Sequence, residues 1–481
     1  MNYTELIVFI LYFVFMLGIG LFFFFKSKAG GEKDYFLGGR NMGAWVSALS
    51  AGASDMSAWV LMGLPASIYA MGMGQTWIAI GLGLGYALSW IFAAPRLRRF
   101  SIAANDSITI PQYLTNRFLS KKKGLQIMCA VIFLVAYTVY AASSIKACGT
   151  LFNTVMGIDA NVAMYGAAVI IVLYTFLGGF SAVCWTDFFQ GMLMLAALLV
   201  APIFAMVLIN NGNVVKASLP DGYFNFVTSW QDIVSGLGWG LGYFGMPHII
   251  VRFMSLKSEK ELKKSSVIGI SWTVIILIMS VVSGVAGRLF LGIVDDSSTV
   301  FITMVRNIFP ALLSGVLLSA ILSAAMSTAD SQLLASASAF ASDVYKPVIR
   351  KNASDKEMLW ASRLIVVAIA VVAVIIAANP NSGTIMGLVE NAWGIFGAAF
   401  GPVIMLSLFW KRFTFSGAVA GIAVGAAVDI GWLVLLKSTG VYEIIPGFFA
   451  GLLAAVLVSL LSAPPEQDVQ ELFEKASKPE A

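Results

Sequence analysis

Long apolar runs decide what this chain can become. Thirteen of them cover residues 4–25, 41–63, 73–95, 124–151, 160–180, 186–209, 230–250, 264–292, 310–340, 358–378, 385–408, 414–436 and 445–463. A helix that crosses a bilayer needs about 20 apolar residues. In lipid every backbone N–H and C=O must find its partner inside the protein, so runs of this length are helices. The rest of the chain offers no soluble alternative. Hydrophobic residues make up 59% of it and charged residues 11%, where ordinary soluble domains are about 25% charged. A soluble enzyme, a nucleic-acid-binding protein and a fibre are thereby excluded. The expected molecule is an all-α integral membrane protein with thirteen transmembrane helices, multi-pass in the cell (cytoplasmic) membrane, with lipid around it.

Charge placement orients the spans. Lys and Arg concentrate in the loops after runs one, three, seven and nine, from Lys26 to Arg40, Arg96 to Lys123, Arg252 to Lys264 and Lys346 to Arg363. Only Lys146, Lys216, Arg288, Arg306 and Lys437 fall on the other side. Positively charged loops stay inside, so the N-terminus is expected outside and the C-terminus inside. The first run follows MNYTE, which carries no basic residue, so it reads as a retained helix and not a cleaved signal. Residues 464–481 read as a solvated cytoplasmic tail, and 1–463 as one transmembrane domain.

Metal and nucleotide chemistry find little to work with. The three cysteines (Cys129, Cys148, Cys184) form no spaced framework, and one histidine, His248, makes no multi-histidine site. His248 itself is expected to be structural. No lysine follows a glycine, so a Walker A loop and ATP-driven pumping are not expected. Neither is enzymatic activity.

Two of the runs are weak. One contains AGASDMS, with Asp55 in the middle of an apolar span; the other reads SGLGWGLGYFGMPHII, with five glycines and Pro247. They stand five spans apart, so they cross in opposite directions. That is the pattern of an inverted repeat, 41–209 and 230–408, each half opening with a broken helix. Paired interruptions in matching places point to the central site of a transporter. Unwound backbone survives at membrane depth only where it lines a cavity or is buried in protein. The competing reading of the glycines is close helix packing.

A small, partly polar stripe runs through LSAAMSTADSQLLASAS at Ala324, Ser327, Thr328, Ser331 and Ala335. Ser327, Thr328 and the Ala324 carbonyl can complete an oxygen shell begun by the carbonyls of Ala53 and Met56, which suits a hard cation such as Na+. A stripe that merely bonds its own helix explains the same residues. Trp239, Tyr243 and Pro247 are spaced by four, which would stack them on one helical face for a small apolar ring and its ammonium. Ordinary packing explains that spacing as well. Of the other intramembrane acids, Asp187 is readable as an interfacial cap, and Asp429 as a structural hydrogen-bonding group.

Two further segments carry a resemblance. YTFLGGFSAVCWTDFFQG (174–191) and FWKRFTFSGAVAGIAVG (409–425) resemble the signatures of the sodium/solute symporter family, and within it the sodium/proline symporters. The similarity spans essentially the whole chain. It implies the leucine-transporter-type 5+5 inverted repeat, helices 2–6 and 7–11, with an extra helix at each end. It also implies Na+ as the coupling ion, held by Ala53, Met56, Ala324, Ser327 and Thr328. Asp55 and Ser57 match residues tied to ion coupling, and Asp187 an acid on the inner ion path. Tyr140, Trp239, Tyr243 and Pro247 match the solute side. The function implied is secondary active uptake of L-proline, driven by inward Na+ movement through alternating access. The family also carries other solutes, including sugars, pantothenate and sialic acid. No obligate protein partner is evident. A channel would want a polar pore or filter ring, and none is visible in the sequence.

Overall fold

The computed structural model describes residues 2–26, 32–212 and 219–479; Lys28 and Lys216 lie outside them. Among the described residues the regular structure is helical. The first helices are α1 (Tyr3–Lys26), α2 (Glu32–Leu37), α3 (Ala44–Asp55), α4 (Gly63–Met71), α5 (Thr76–Leu88) and α6 (Ala94–Ala103). Then come α7 (Ile110–Arg117), α8 (Gly124–Met156), α9 (Ala160–Asn210), α10 (Trp230–Gly238), α11 (Pro247–Ser255), α12 (Glu259–Leu291) and α13 (Val300–Ile308). The series ends with α14 (Ala311–Phe340), α15 (Asp355–Ala378), α16 (Ile385–Phe409), α17 (Phe415–Leu435), α18 (Ile444–Leu461) and α19 (Gln467–Ser477).

Ten helical stretches among the described residues are long and apolar enough to cross a membrane, so this is a multi-pass membrane protein. The runs at 41–63, 160–180 and 230–250 are not among the ten, for visible reasons. Run 41–63 breaks between α3 and α4, and run 230–250 breaks between α10 and α11. Run 160–180 ends where α9 turns at Gly179, which holds φ 61° and ψ −168°. Only glycine takes that conformation without strain.

Helix α14 forms the centre. It is buried almost without interruption from Ser314 to Ala339 and packs against α1, α3, α8, α9 and α15. Its run of Ala and Ser lets neighbouring backbones approach closely, as association within lipid requires. Helices α16, α17 and α18 pack on one another at one flank.

The glycines of run 230–250 do pack. A Cβ on Gly81 would overlap the Gly236 carbonyl, and one on Gly85 the Gly240 carbonyl, so α5 meets α10 and the turn after it backbone to backbone. Close packing and helix breakage are therefore both present in this run.

Other expectations need correction. The segment 464–481 is not simply a solvated end. Its helix α19 buries Val469, Phe473 and Ala476, with the Phe473 ring 5.3 Å from that of Phe100 in α6. The guanidinium of Arg117 lies 4.9 Å from the Phe473 ring, and Arg99 donates to the Ala476 carbonyl at 3.1 Å. Lys411 pairs with Glu474 and holds its carboxyl below the usual range. The acidic count of the tail hid an amphipathic helix. Asp429 Oδ1 is buried beside Gly394 and finds no hydrogen-bond partner among the described residues.

Candidate functional site at two helix breaks

Helix α3 stops because its backbone changes partner. Met56 makes the last helical bond, to the Gly52 carbonyl at 2.9 Å, and then takes φ −79° and ψ 66°. In a continuing helix the Ser57 N–H would bond the Ala53 carbonyl. It bonds the Asp55 carbonyl instead, at 2.9 Å. Ala53 and Ser54 are left with carbonyls free for partners elsewhere, the general condition of a helix C-terminus.

Those partners come from other helices. Ser327 of α14 donates its hydroxyl to the Ala53 carbonyl at 2.8 Å and lies 3.3 Å from the carbonyl of Ala324. The Thr328 hydroxyl beside it is buried with no partner among the described residues. The two readings, bonding within the helix and reaching beyond it, thus divide among the hydroxyls of α14. Ser319 and Ser323 bond their own helix, to the carbonyls of Gly315 and Ser319. Ser327 reaches across to the break, and Thr328 bonds nothing among the described residues.

Asp55, the last residue of α3, is fully buried. It accepts from the Tyr243 hydroxyl at 2.6 Å, while its Oδ1 has no partner among the described residues. Ser57 begins the short 3₁₀ turn Ala58–Val60 and accepts from the Trp59 N–H.

The second break is built differently. Residues Trp239–Phe244 form a 3₁₀ turn, Met246 is extended (φ −81°, ψ 104°), and Pro247 opens α11. Proline suits that position, where a helix has no use for the missing N–H. The single face expected for Trp239, Tyr243 and Pro247 does not form, because a 3₁₀ turn advances three residues per turn and shifts residues four apart onto different sides. Trp239 lines a cavity of about 220 Å³ beside Tyr442, Glu390 and Glu443. Pro247 lines a narrow cleft of about 30 Å³ with Phe133, Arg252 and Ser331. Tyr243 lines neither and is bonded to Asp55.

Aromatic rings the sequence did not single out close this region. Trp393 of α16 donates its indole N–H to the Trp239 carbonyl at 2.8 Å, and its ring lies 5.1 Å from that of Tyr243. Trp59 stands 6.5 Å from Trp239, and Tyr442 stands 5.1 Å from it. Trp59 stands two residues after AGASDMS, a position that signals it in the sequence; Trp393 and Tyr442 carry no such signal. Tyr140 of α8 is buried, its hydroxyl without a partner among the described residues and its ring 6.3 Å from that of His248.

Asp187 is no interfacial cap. It is fully buried in α9, accepting from Ser50 at 2.6 Å and pairing with Arg252 at 3.1 Å. Arg252 also donates to Ser50 at 3.1 Å, to Ser331 at 2.6 Å and to the His248 carbonyl. One buried guanidinium thereby joins α3, α9, α11 and α14. The sequence reading counted Arg252 only as a loop charge. Removing one partner of a buried pair leaves an uncompensated charge, at a cost of about 3–5 kcal/mol.

Two broken helices crossing a central small-residue helix, with freed backbone oxygens and buried polar groups at the breaks, define a secondary-transporter architecture. Solved structures of that class share it. A Na+-coupled sialic acid symporter superposes with a TM-score of 0.80 at 20% identity, covering 97% of this chain and 99% of its own. Mhp1, a nucleobase-cation-symport-1 family transporter, gives 0.58 at 14% identity, over 92% and 98%. The sodium:solute symporter family model matches residues 35–425, and the chain belongs to that family. Among its relatives, the high-affinity proline transporter PutP of Bacillus subtilis is 44% identical over 95% of this chain and 98% of its own. The osmoregulated proline transporter OpuE of the same organism is 44% identical over 96% of both. A sodium/proline symporter of Haemophilus influenzae is 41% identical over 98% of both.

Proposed function

We propose that this chain carries L-proline across the cytoplasmic membrane together with Na+, by alternating access. Full-length relatives named for proline transport and sodium/proline symport support the solute and the ion. The observation that carries the reading is the Ala53 carbonyl, released from its own helix and held by Ser327, with the partnerless Thr328 hydroxyl beside it. These are oxygen donors on uncharged groups, as a small hard cation prefers.

In this reading sodium is bound by the carbonyls of Ala53, Met56 and Ala324 and the hydroxyls of Ser327 and Thr328. Asp55 supplies the nearby negative charge and Ser57 the turn that keeps α3 open. Trp239, Tyr243, Tyr140 and Pro247 receive the solute. Aromatic faces suit its ring and ammonium. Asp187, with Arg252, lies on the inner path of the ion. Thirteen spans with the N-terminus outside, the tail inside and inverted repeats at 41–209 and 230–408 complete the proposal; 1–463 then forms a single domain.

Gradient energy accumulates solute only if binding of the two cargoes is thermodynamically coupled. The test is uptake of labelled L-proline into proteoliposomes, with an inward Na+ gradient or with K+ in its place. Sodium-dependent accumulation, competed by unlabelled proline and not by glucose, supports the reading. Its absence removes the solute and leaves the fold.

A further inference from the structure

His248 is the chain's one histidine, and none of the roles above uses it. It is fully buried one residue into α11, so it belongs to the second break. Its ring nevertheless contacts the first. Nε2 lies 3.2 Å from the Ser54 carbonyl, the other oxygen set free where α3 ends. On the far edge, Nδ1 lies 3.2 Å from the Tyr137 hydroxyl, and that hydroxyl accepts the His248 backbone N–H at 2.8 Å. The backbone carbonyl of His248 accepts from Arg252, which holds Asp187.

The chemistry of these partners sets the ring's proton. A carbonyl only accepts, so Nε2 carries the hydrogen toward Ser54. In the neutral ring Nδ1 is then an acceptor, and Tyr137 donates to it. Every polar atom of the residue is engaged, and each partner lies on a different element: Ser54 on α3, Tyr137 on α8, Arg252 one turn further along α11. Ser54 stands between Ala53, whose carbonyl bonds Ser327, and Asp55, whose carboxylate bonds Tyr243.

We infer that His248 is a positioning residue that couples the ion site to the solute site, an inference that rests on the proposed sodium/proline symport. A cation drawn to the Ala53 carbonyl orients the last turn of α3. The Ser54 carbonyl turns with it, and the imidazole passes that orientation to Pro247 and the start of α11. The Asp55–Tyr243 bond is a second tie between the same two breaks. His248 differs from it in touching neither proposed cargo, so its effect shows in how strongly one cargo favours the other.

The experiment measures equilibrium binding of labelled L-proline to the purified full-length protein across a sodium titration. The wild type and the His248→Asn, His248→Gln and Tyr137→Phe variants are compared. Coupling between two sites typically changes affinity about 5–150-fold. In wild type, saturating sodium tightens proline binding within that range. Asparagine is too short to reach Ser54, and a buried carbonyl deprived of its donor loses roughly tenfold in the equilibrium it supports. His248→Asn is expected to cut the sodium enhancement by that factor, with sodium-free proline affinity little changed. Glutamine places an amide N–H near the position of Nε2 and restores part of the enhancement. Tyr137→Phe keeps the Ser54 bond and loses less.

If His248→Asn and His248→Gln both keep the wild-type enhancement, the coupling role is wrong. Equal loss of sodium-free and sodium-bound affinity in both variants also overturns it, because that is the mark of simple packing. If wild type itself shows no sodium-dependent proline binding, the function reading fails first and this inference goes with it.

Discussion

The two helix breaks occupy corresponding places in the chain and are held open by different forces. The first, after Asp55, is held by hydrogen bonds that arrive from α14, α11 and the turn before α11. Two of them occupy carbonyls that the stopped helix exposes, and the third the Asp55 carboxylate. The second, at Trp239–Phe244, also has carbonyls bonded from outside, Trp239 by Trp393 and Tyr243 by Ser89, but close packing at its glycines is what sets it apart. A Cβ on Gly242 would land in the Trp393 indole, and one on Gly245 would overlap the Phe396 carbonyl. One break is a polar device that an ion or a hydroxyl can alter. The other is chiefly a shape, and at Gly242 and Gly245 it tolerates no added volume.

That contrast can be broken most forcefully at Gly242. Gly242→Val has nowhere to put its side chain, and overpacking costs about 1–3 kcal/mol or more. Little folded protein is expected, read as loss of the monodisperse peak on size-exclusion chromatography. A well-folded Gly242→Val protein would show that packing does not hold the second break. Next, Asp55→Ala should fold and bind proline weakly, with its sodium dependence largely gone. An unchanged sodium titration would remove Asp55 from ion coupling.

Ser327→Ala and Thr328→Val then separate two roles within the polar break. Ser327→Ala strands a buried carbonyl, costing about 1–3 kcal/mol. It should both lower thermal stability without sodium and raise the sodium concentration needed for half-maximal binding. Thr328→Val removes a hydroxyl with no partner among the described residues, so the sodium-free protein should be as stable as wild type or more so. Only its sodium affinity should fall. Identical behaviour of the two variants would refute the division drawn between them.

The smallest effect belongs to the tail. Lys411 holds the Glu474 carboxyl below its ordinary value of about 4.3. The folded value is depressed, so this contribution is present at neutral pH and disappears as pH falls through the folded value. Limited proteolysis of α19 should quicken modestly under such acid conditions in wild type. In Glu474→Gln the same increase should be absent.

Much of this was readable beforehand, and the unevenness has physical causes. The long spans announce themselves because lipid enforces an apolar surface along the whole of each helix. The polar break was legible because a carboxylate at membrane depth is costly and needs a reason. Spacing failed at Trp239, Tyr243 and Pro247, since helical periodicity assumes a helix and this stretch is not an α-helix. The serines of α14 could not be sorted beforehand, because a hydroxyl bonded to its own helix and one bonded to a neighbour look alike in sequence. Arg252 was mistaken for a loop charge, being one residue among a basic group whose other members face outward. Helices α7, α13 and α19 are short, and each depends on tertiary contacts that no local pattern records.

The glycine seam between α5 and the second broken helix has a mechanical consequence. Side chains give a contact its compliance, because rotamers let neighbours slide. Where Gly81 and Gly85 meet Gly236 and Gly240, backbone presses on backbone and there is nothing to flex. Displacement of the Trp239 turn is then expected to carry α5 with it. Spin labels at the exposed Leu84 and Leu237 would travel together through a transport cycle, with an unchanging distance between them.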